Sequence, residues 1–274
     1  EISEQRRIAN ALKIVDKAIE NAVAERQSIY ELKRALLDRV FERGLNPRCK
    51  TVHYKTHRCY TATVPDHWSR ERLGKSLLVV EYGTNAPSND IQQGYPVIAI
   101  PQVVAPHLSL TDVPYTEIPE TEATTLRLEE DDVLLIRTNG NPEYIAKSTI
   151  VSREVASVHT VYASYLIRVR TDPKQLLGSY LNYFLASPLG RRQAGAVANT
   201  SAGNNNIGAR AIKQIRIPRP PLEEQLAAVE LLNAIEDQVR TVSDKVSALE
   251  QIKKASLQNL ITGRTRISES VIYG

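Results

Sequence analysis

The 274-residue chain is 42% hydrophobic and 24% charged, with a formal net charge of +4, the composition of an ordinary water-soluble globular protein. No apolar run reaches the roughly 18 residues that a membrane span needs, and no leader pattern is recognised, so no membrane partner is expected. Methionine is absent, and Cys49 and Cys59 are the only cysteines, which suits a reducing cytoplasm.

Residues 1–44 read as one long amphipathic helix. Leu12, Val15, Ile19 and Ala22 step by three and four along a coiled-coil seam that Arg26 interrupts and Ile29 resumes. Such a helix is roughly 60 Å long at 1.5 Å per residue. A single apolar stripe on so long a rod must pack against another helix.

A mixed α/β domain is predicted over 45–220. It holds the positive excess: residues 45–218 carry 19 basic and 15 acidic side chains. That excess permits nucleic-acid binding without establishing it. The segment opens on "CKTVHYKTHRC" (49–59), where Cys49, His53, His57 and Cys59 are zinc-ligand types at a spacing that matches no usual finger. A basic linker with no metal is the preferred reading.

Strands are predicted at 77–82, 95–100, 132–138, 148–152 and 162–170, the last alternating Ile167 and Val169 with Arg168 and Arg170. A helix is predicted over 174–186, where Leu177, Tyr180, Leu181, Phe184 and Leu185 share a face. Between these elements lie loops rich in Asn, Thr, Ser and Gly. Their candidate DNA-contacting residues are Tyr82, Thr84 and Asn85; Arg137, Asn139 and Asn141; and Arg191, Arg192, Asn204, Asn205 and Asn206. Asn reads adenine edges by paired hydrogen bonds, Arg reads guanine, and Ser, Thr and backbone amides hold phosphates. The same residues also make simple turns.

Catalytic patterns are missing. "NPEY" (141–144) resembles the Asn-Pro-Pro-Tyr motif of amino-methyltransferases, but Glu143 stands at the second proline and no glycine-rich loop follows a strand to hold a methyl donor. Glu143 and Lys147 are too far apart in sequence for a metal-dependent nuclease core. No phosphate-binding loop and no serine or cysteine nucleophile motif occurs. The expectation is a non-catalytic chain without a cofactor.

The domain ends in "IPRPPLEEQ" (217–225), a strand running into Pro220 and Pro221, whose fixed φ suits a helix's first turn. Glu223 and Glu224 complement the helix dipole. A second long helix is predicted over 221–264, with a tail at 265–274. Leu232, Ile235, Val239, Val242, Val246 and Leu249 again step by three and four.

This helix repeats the first at a shift of 220. Glu4 and Gln5 fall on Glu224 and Gln225, Leu12 on Leu232, Ile19 on Val239, Ile29 on Leu249, and Leu32 on Ile252. Two copies of one element therefore bracket the domain. If both junctions lie on one side of that domain, the helices pair antiparallel. The fold expected is α+β: one mixed α/β domain flanked by two long antiparallel coiled-coil helices.

This pattern resembles the DNA-specificity subunits of type I restriction–modification systems. The residues that carry it are "IPRPPLEEQ" with a heptad helix ending "LQNLITGR" (257–264), "SEQRRIANAL" (3–12), "VPDHW" with "RLG" (64–74), and "DDVLLIRTNG" (131–140). The resemblance implies target-recognition domains reading halves of a split double-stranded DNA sequence, with the helices as a ruler. It also implies methyltransferase subunits docked on the helices, a motor and nuclease subunit reached through the complex, and methyl donor and ATP held by those partners. One recognition domain in place of two marks the chain as a natural half-subunit, restored by pairing with its own copy, or as the second half of a longer one. Two alternatives stand beside this: the recognition domain of a combined restriction–methylation enzyme, and a protein-only coiled-coil scaffold. A salt titration separates the scaffold from both DNA readers. Duplex affinity that falls steeply with rising salt is expected, and no measurable duplex affinity would leave the scaffold.

Overall fold

The computed structural model describes residues 2–56, 61–201 and 204–262. Two long helices, α1 (Ile2–Arg43) and α8 (Leu222–Ile261), bracket a region of short strands and helices. The chain divides into two compact units. One comprises the chain up to Arg34 and from Asn233 onward, and the other is Ala35–Leu232.

In the first unit the helices run antiparallel. Asp16 pairs with Lys253 at 2.6 Å, Glu25 with Lys245 at 2.9 Å, and Lys33 with Glu236. The partners move in opposite directions by eight or nine residues per pair, so the register is kept without a slip. Exposed pairs of this kind contribute little stability, about 0.2–1 kcal/mol each, and mainly fix alignment. The apolar seam supplies the rest. Ala22, Ile235, Val239, Val242 and Val246 are buried, while Leu12, Val15, Ile19, Ile29 and Leu249 are half-buried. Leu32 and Ile252, matched in the repeat, both stand exposed at 53% and 52%. They lie off the seam.

The second unit is built on a four-stranded antiparallel sheet of β10 (Ser148–Ile150), β8 (Val133–Ile136), β12 (Leu166–Thr171) and β4 (Leu77–Tyr82), in that order. Strand side chains alternate between faces, and β8 is buried on both. Val133 and Leu135 join Ile167 and Val169 in one core with α5 (Gly178–Ala186), α6 (Pro188–Val197) and α7 (Ala209–Ile212). The inner ends of both long helices belong to that core. Phe41 packs 5.1 Å from Tyr180 and 5.6 Å from Phe184, beside Leu37, Val40, Ala228, Val229 and Leu232. Leu232, read from the sequence as a helix-pairing residue, is thus a residue of the globular core.

Leu134, Ile136 and Leu166 face a second core, formed with α2 (Ile100–Val104), α3 (Glu120–Leu126), α4 (Arg153–Ser157) and a mixed sheet. That sheet orders β11 (Val161–Tyr162), β6 (Tyr95–Ile98), β7 (Tyr115–Thr116) and β5 (Ser88–Asn89). Arg168 and Arg170 serve the same region. Arg168, 4% exposed, bonds Glu81 and the Arg127 carbonyl. Arg170 holds the buried Asp132 carboxylate by two bonds of 2.8 Å, and that pairing raises its pKa above the ordinary value.

Two ribbons complete the unit. The expected linker at 49–59 includes a strand: β1 (Thr51–Lys55) pairs with β2 (Thr61–Pro65), and His53 Nδ1 lies 2.8 Å from Thr63 Oγ1. His57 and Cys59 lie outside the described residues. β3 (Ser69–Arg72) pairs with β15 (Arg216–Arg219), which leads to the two prolines.

At that junction Glu224 serves more than the helix dipole. It accepts a bond from Trp68 Nε1 at 3.0 Å, and its other oxygen lies 2.7 Å from His67 Nε2. Gln225 is fully buried. Its oxygen accepts the Leu177 N–H at 2.9 Å, and its nitrogen donates to the carbonyls of Gln175 and Pro220, both at 2.9 Å. At the opposite junction Gly44, with φ +68°, ends α1 by returning its N–H to the Val40 carbonyl.

Two measurements check these assignments. Gln225→Leu strands one buried donor and two acceptors, and should lower the stability of the whole chain by about 3 kcal/mol in urea unfolding. A loss below about 1 kcal/mol would contradict the clamp. Val239→Glu buries an unpaired charge in the seam and should cost the helix pair about 2–3 kcal/mol. Hydrogen exchange would report it as faster exchange over 8–33 and 235–260, with β8 and β12 unchanged.

Candidate nucleic-acid interface

Strand β8 leaves the core at Arg137, and three segments meet there. The Arg137 N–H bonds the Tyr165 carbonyl, and the Arg137 carbonyl accepts the Ile207 N–H, each at 2.9 Å. Its guanidinium carbon lies 4.6 Å from the centre of the Tyr82 ring, and Nη1 donates to the Ser164 carbonyl at 3.3 Å. Nε is buried with no hydrogen-bond partner. Tyr82, 42% exposed at the end of β4, accepts the Ala209 N–H on its hydroxyl at 3.0 Å. The arginine plane therefore rests on an aromatic face that is itself pinned to the backbone.

Past Arg137 the chain forms β9 (Thr138–Asn139), the edge of a three-stranded sheet with β14 (Asn204–Asn206) and β13 (Asn199–Ser201). Asn139 pairs with Asn205, and Thr138 with Asn206. The Asn205 amide donates to the Gly140 carbonyl at 3.4 Å. Asn206 Oδ1 is buried without a hydrogen-bond partner. Asn204 is placed by its backbone alone.

After β9, Asn139 Oδ1 accepts the Asn141 N–H at 2.8 Å, and Asn141 Oδ1 accepts the Glu143 N–H at 2.9 Å. Only the oxygen of a carboxamide can accept a backbone N–H, so both oxygens are engaged and NH2 groups remain. These amides can donate to base acceptors such as guanine O6 and N7, and each oxygen keeps its second lone pair for a base donor.

The structure thus brings together Tyr82, Arg137, Asn139, Asn141, Asn205 and Asn206. Four other expected residues are placed differently. Thr84 is 6% exposed, and its hydroxyl accepts the Ala86 N–H at 3.1 Å. Its backbone bonds Tyr162 and Ser164, so it anchors the loop from inside; Asn85 beside it is exposed. The close approach needs Gly83, where a Cβ would lie 2.0 Å from the Tyr162 carbonyl oxygen. Arg191, on α6, donates Nη1 to the Ile145 carbonyl at 2.7 Å and Nη2 to the Glu143 carbonyl at 2.8 Å. Burial lowers its pKa, with Glu143 opposing. Arg192 is exposed, with Nη2 3.4 Å from Glu42 Oε1.

Ser164 and Tyr165, not singled out by sequence, stand at the same place. Strand β12 runs antiparallel to β8, so the residues preceding β12 lie beside those just past β8. Tyr165 is 38% exposed. The aromatic in "YASYLIRVR" directly before the strand was the available signal. Among the described residues no group of three or more His, Cys, Asp and Glu is arranged to hold a metal ion.

Solved subunits of type I restriction–modification systems share this fold. A chain from a structure of type I restriction–modification assembly and conformational transition matches with TM-score 0.60 at 19% identity, covering 95% of this chain and 59% of that one. The HsdS subunit of Thermoanaerobacter tengcongensis matches with TM-score 0.56 at 20% identity, covering 94% and 58%. At the level of sequence, the EcoKI specificity subunit of Escherichia coli K12 is 26% identical over 196 residues, 68% of this chain and 42% of that protein. A protein assigned as the type I restriction enzyme MjaX specificity subunit of Methanocaldococcus jannaschii is 25% identical over 200 residues, 73% of this chain and 46% of that protein. No family model matches the chain. The curated relatives it matches are type I restriction specificity subunits, and the chain spans about half their length.

Proposed function

We propose that this chain is a non-catalytic, sequence-reading subunit that recognises one half of a split double-stranded DNA target for a methyltransferase. The observation that carries this reading is the convergence of Tyr82, Arg137, Asn139, Asn141 and Asn205 where β4 and β8 leave the core, on a chain whose relatives are specificity subunits. Guanidinium and amide donors of this kind suit base edges, and the positive excess of 45–218 suits phosphates. Methyltransferase subunits dock along the solvent-facing sides of α1 and α8, and the motor subunit is reached through them.

Selection from a pool of random duplexes at two salt concentrations, followed by sequencing, tests the reading. An enriched split palindrome indicates two copies acting together, and a single unsplit motif indicates one half-site read alone. No enrichment, with or without the methyltransferase, would refute it. Arg137→Ala and Asn205→Ala should change the enriched or methylated motif, each lowering discrimination at its base position by roughly tenfold, with urea unfolding near wild type. An unchanged motif in both variants would move recognition off this face.

A further inference from the structure

Segment 139–145 leaves β9, passes through a single turn at Pro142–Tyr144, and re-enters the core at Ile145. Its first half is closed by the Asn139 and Asn141 side chains. In its second half the N–H groups of Tyr144 and Ile145 bond the carbonyls of Asn141 and Pro142, and the Lys147 N–H bonds that of Tyr144. The carbonyls of Glu143 and Ile145 are left over, as expected where a short helical turn ends. Arg191 takes both, at 2.8 and 2.7 Å. A planar guanidinium fork suits this task, because two donors held in one plane fix the spacing of two acceptors. Its base is firm, since α6 sits in the core through Leu189, Ala194 and Val197.

We infer that Arg191 is a positioning residue for base recognition: by locking the Glu143 and Ile145 carbonyls it sets how Asn139 and Asn141 are presented, and it does not itself touch DNA. The inference rests on the reading of this face as the DNA-binding one. It assigns to an arginine of α6 a role opposite to that of a phosphate contact. The two roles separate by salt and by substitution with lysine. Lysine keeps the charge, and so a phosphate contact, but offers one point where two carbonyls need a fork.

The test uses the full chain as wild type, Arg191→Ala, Arg191→Lys and Asn141→Ala in the random-duplex selection, with a salt titration on non-specific duplex. Both Arg191 variants are expected to relax preference at the base positions that Asn141→Ala affects, by roughly tenfold. The slope of log affinity against log salt should stay at the wild-type value. Hydrogen exchange on the same proteins should show faster exchange over 141–147, with β8 and β12 protected as in wild type. If Arg191→Ala unfolds the sheet, the lysine variant carries the comparison. The inference is overturned if the salt slope falls by about 0.9, one phosphate contact, in the alanine variant and returns with lysine. It is equally overturned if a folded variant keeps the wild-type preference. A wild-type chain that enriches no sequence, with or without the methyltransferase, is a separate outcome, which removes the DNA reading and this inference with it.

Discussion

The unit Ala35–Leu232 depends on one strand being buried on both faces. β8 has no exposed side, so each of its four residues must be apolar, and its backbone must be paired on both edges. Sequence and pairing meet that demand: Val133, Leu134, Leu135 and Ile136 face two cores alternately, with β10 on one edge and β12 on the other. Its next residue is Arg137. A strand so fixed leaves little freedom to the residues just beyond it, and Arg137, Asn139 and Asn141 hang from that exit. They are held by the Tyr82 ring, the Ser164 carbonyl, β14 and the turns after Asn139. Loops placed by a rigid scaffold are where recognition residues usually sit.

The joint at the two prolines works by the same economy of polar groups. Removed from water, the Gln225 amide must find partners for its oxygen and its hydrogens, and it finds them on Leu177, Gln175 and Pro220. Arg219 extends the network to Ser69, Ser76 and Gln175, and Glu224 ties in Trp68 and His67. The first turn of α8 is thereby bonded to the turn before β3 and to the approach to α5. "IPRPPLEEQ" is therefore a bonding site in which the prolines set the backbone and the polar residues fasten it.

Much of this was legible in sequence because it comes from period. Steps of three and four gave the two long helices, and the apolar runs at 77–82 and 132–138 gave the central strands. Elements stabilised by partners instead of pattern were hidden. β3 is short and polar and does not read as a strand alone; its partner β15, read as the strand before the prolines, carries a proline inside. The Asn-rich sheet of β9, β13 and β14 goes against strand propensity and exists because the segments are brought together. The helix expected from 174 begins at Gly178, where Asp131 oxygens accept the Gly178 and Ser179 N–H groups from 47 and 48 residues away. At the candidate interface the stretch from Arg191, expected as a loop, is helical as far as Val197, and some of the expected side chains are already committed. The Thr84 hydroxyl and the Arg191 guanidinium are bonded to backbone, a distinction that only three-dimensional placement makes.

The sharing of Leu37, Val40, Phe41, Ala228, Val229 and Leu232 with the globular core bears on how this unit can be exchanged between relatives. A crossover at the prolines, the visible punctuation in the sequence, would pair one domain's Tyr180 and Phe184 with another's helix ends, and would split the Gln225 clamp between parents. Crossovers near residues 34 and 233 would carry the whole core and both polar joints as a cassette, leaving only the repeated helical seam to be matched. In natural variation, the inner helix ends should therefore vary together with the domain they support, and the seam should vary independently of it.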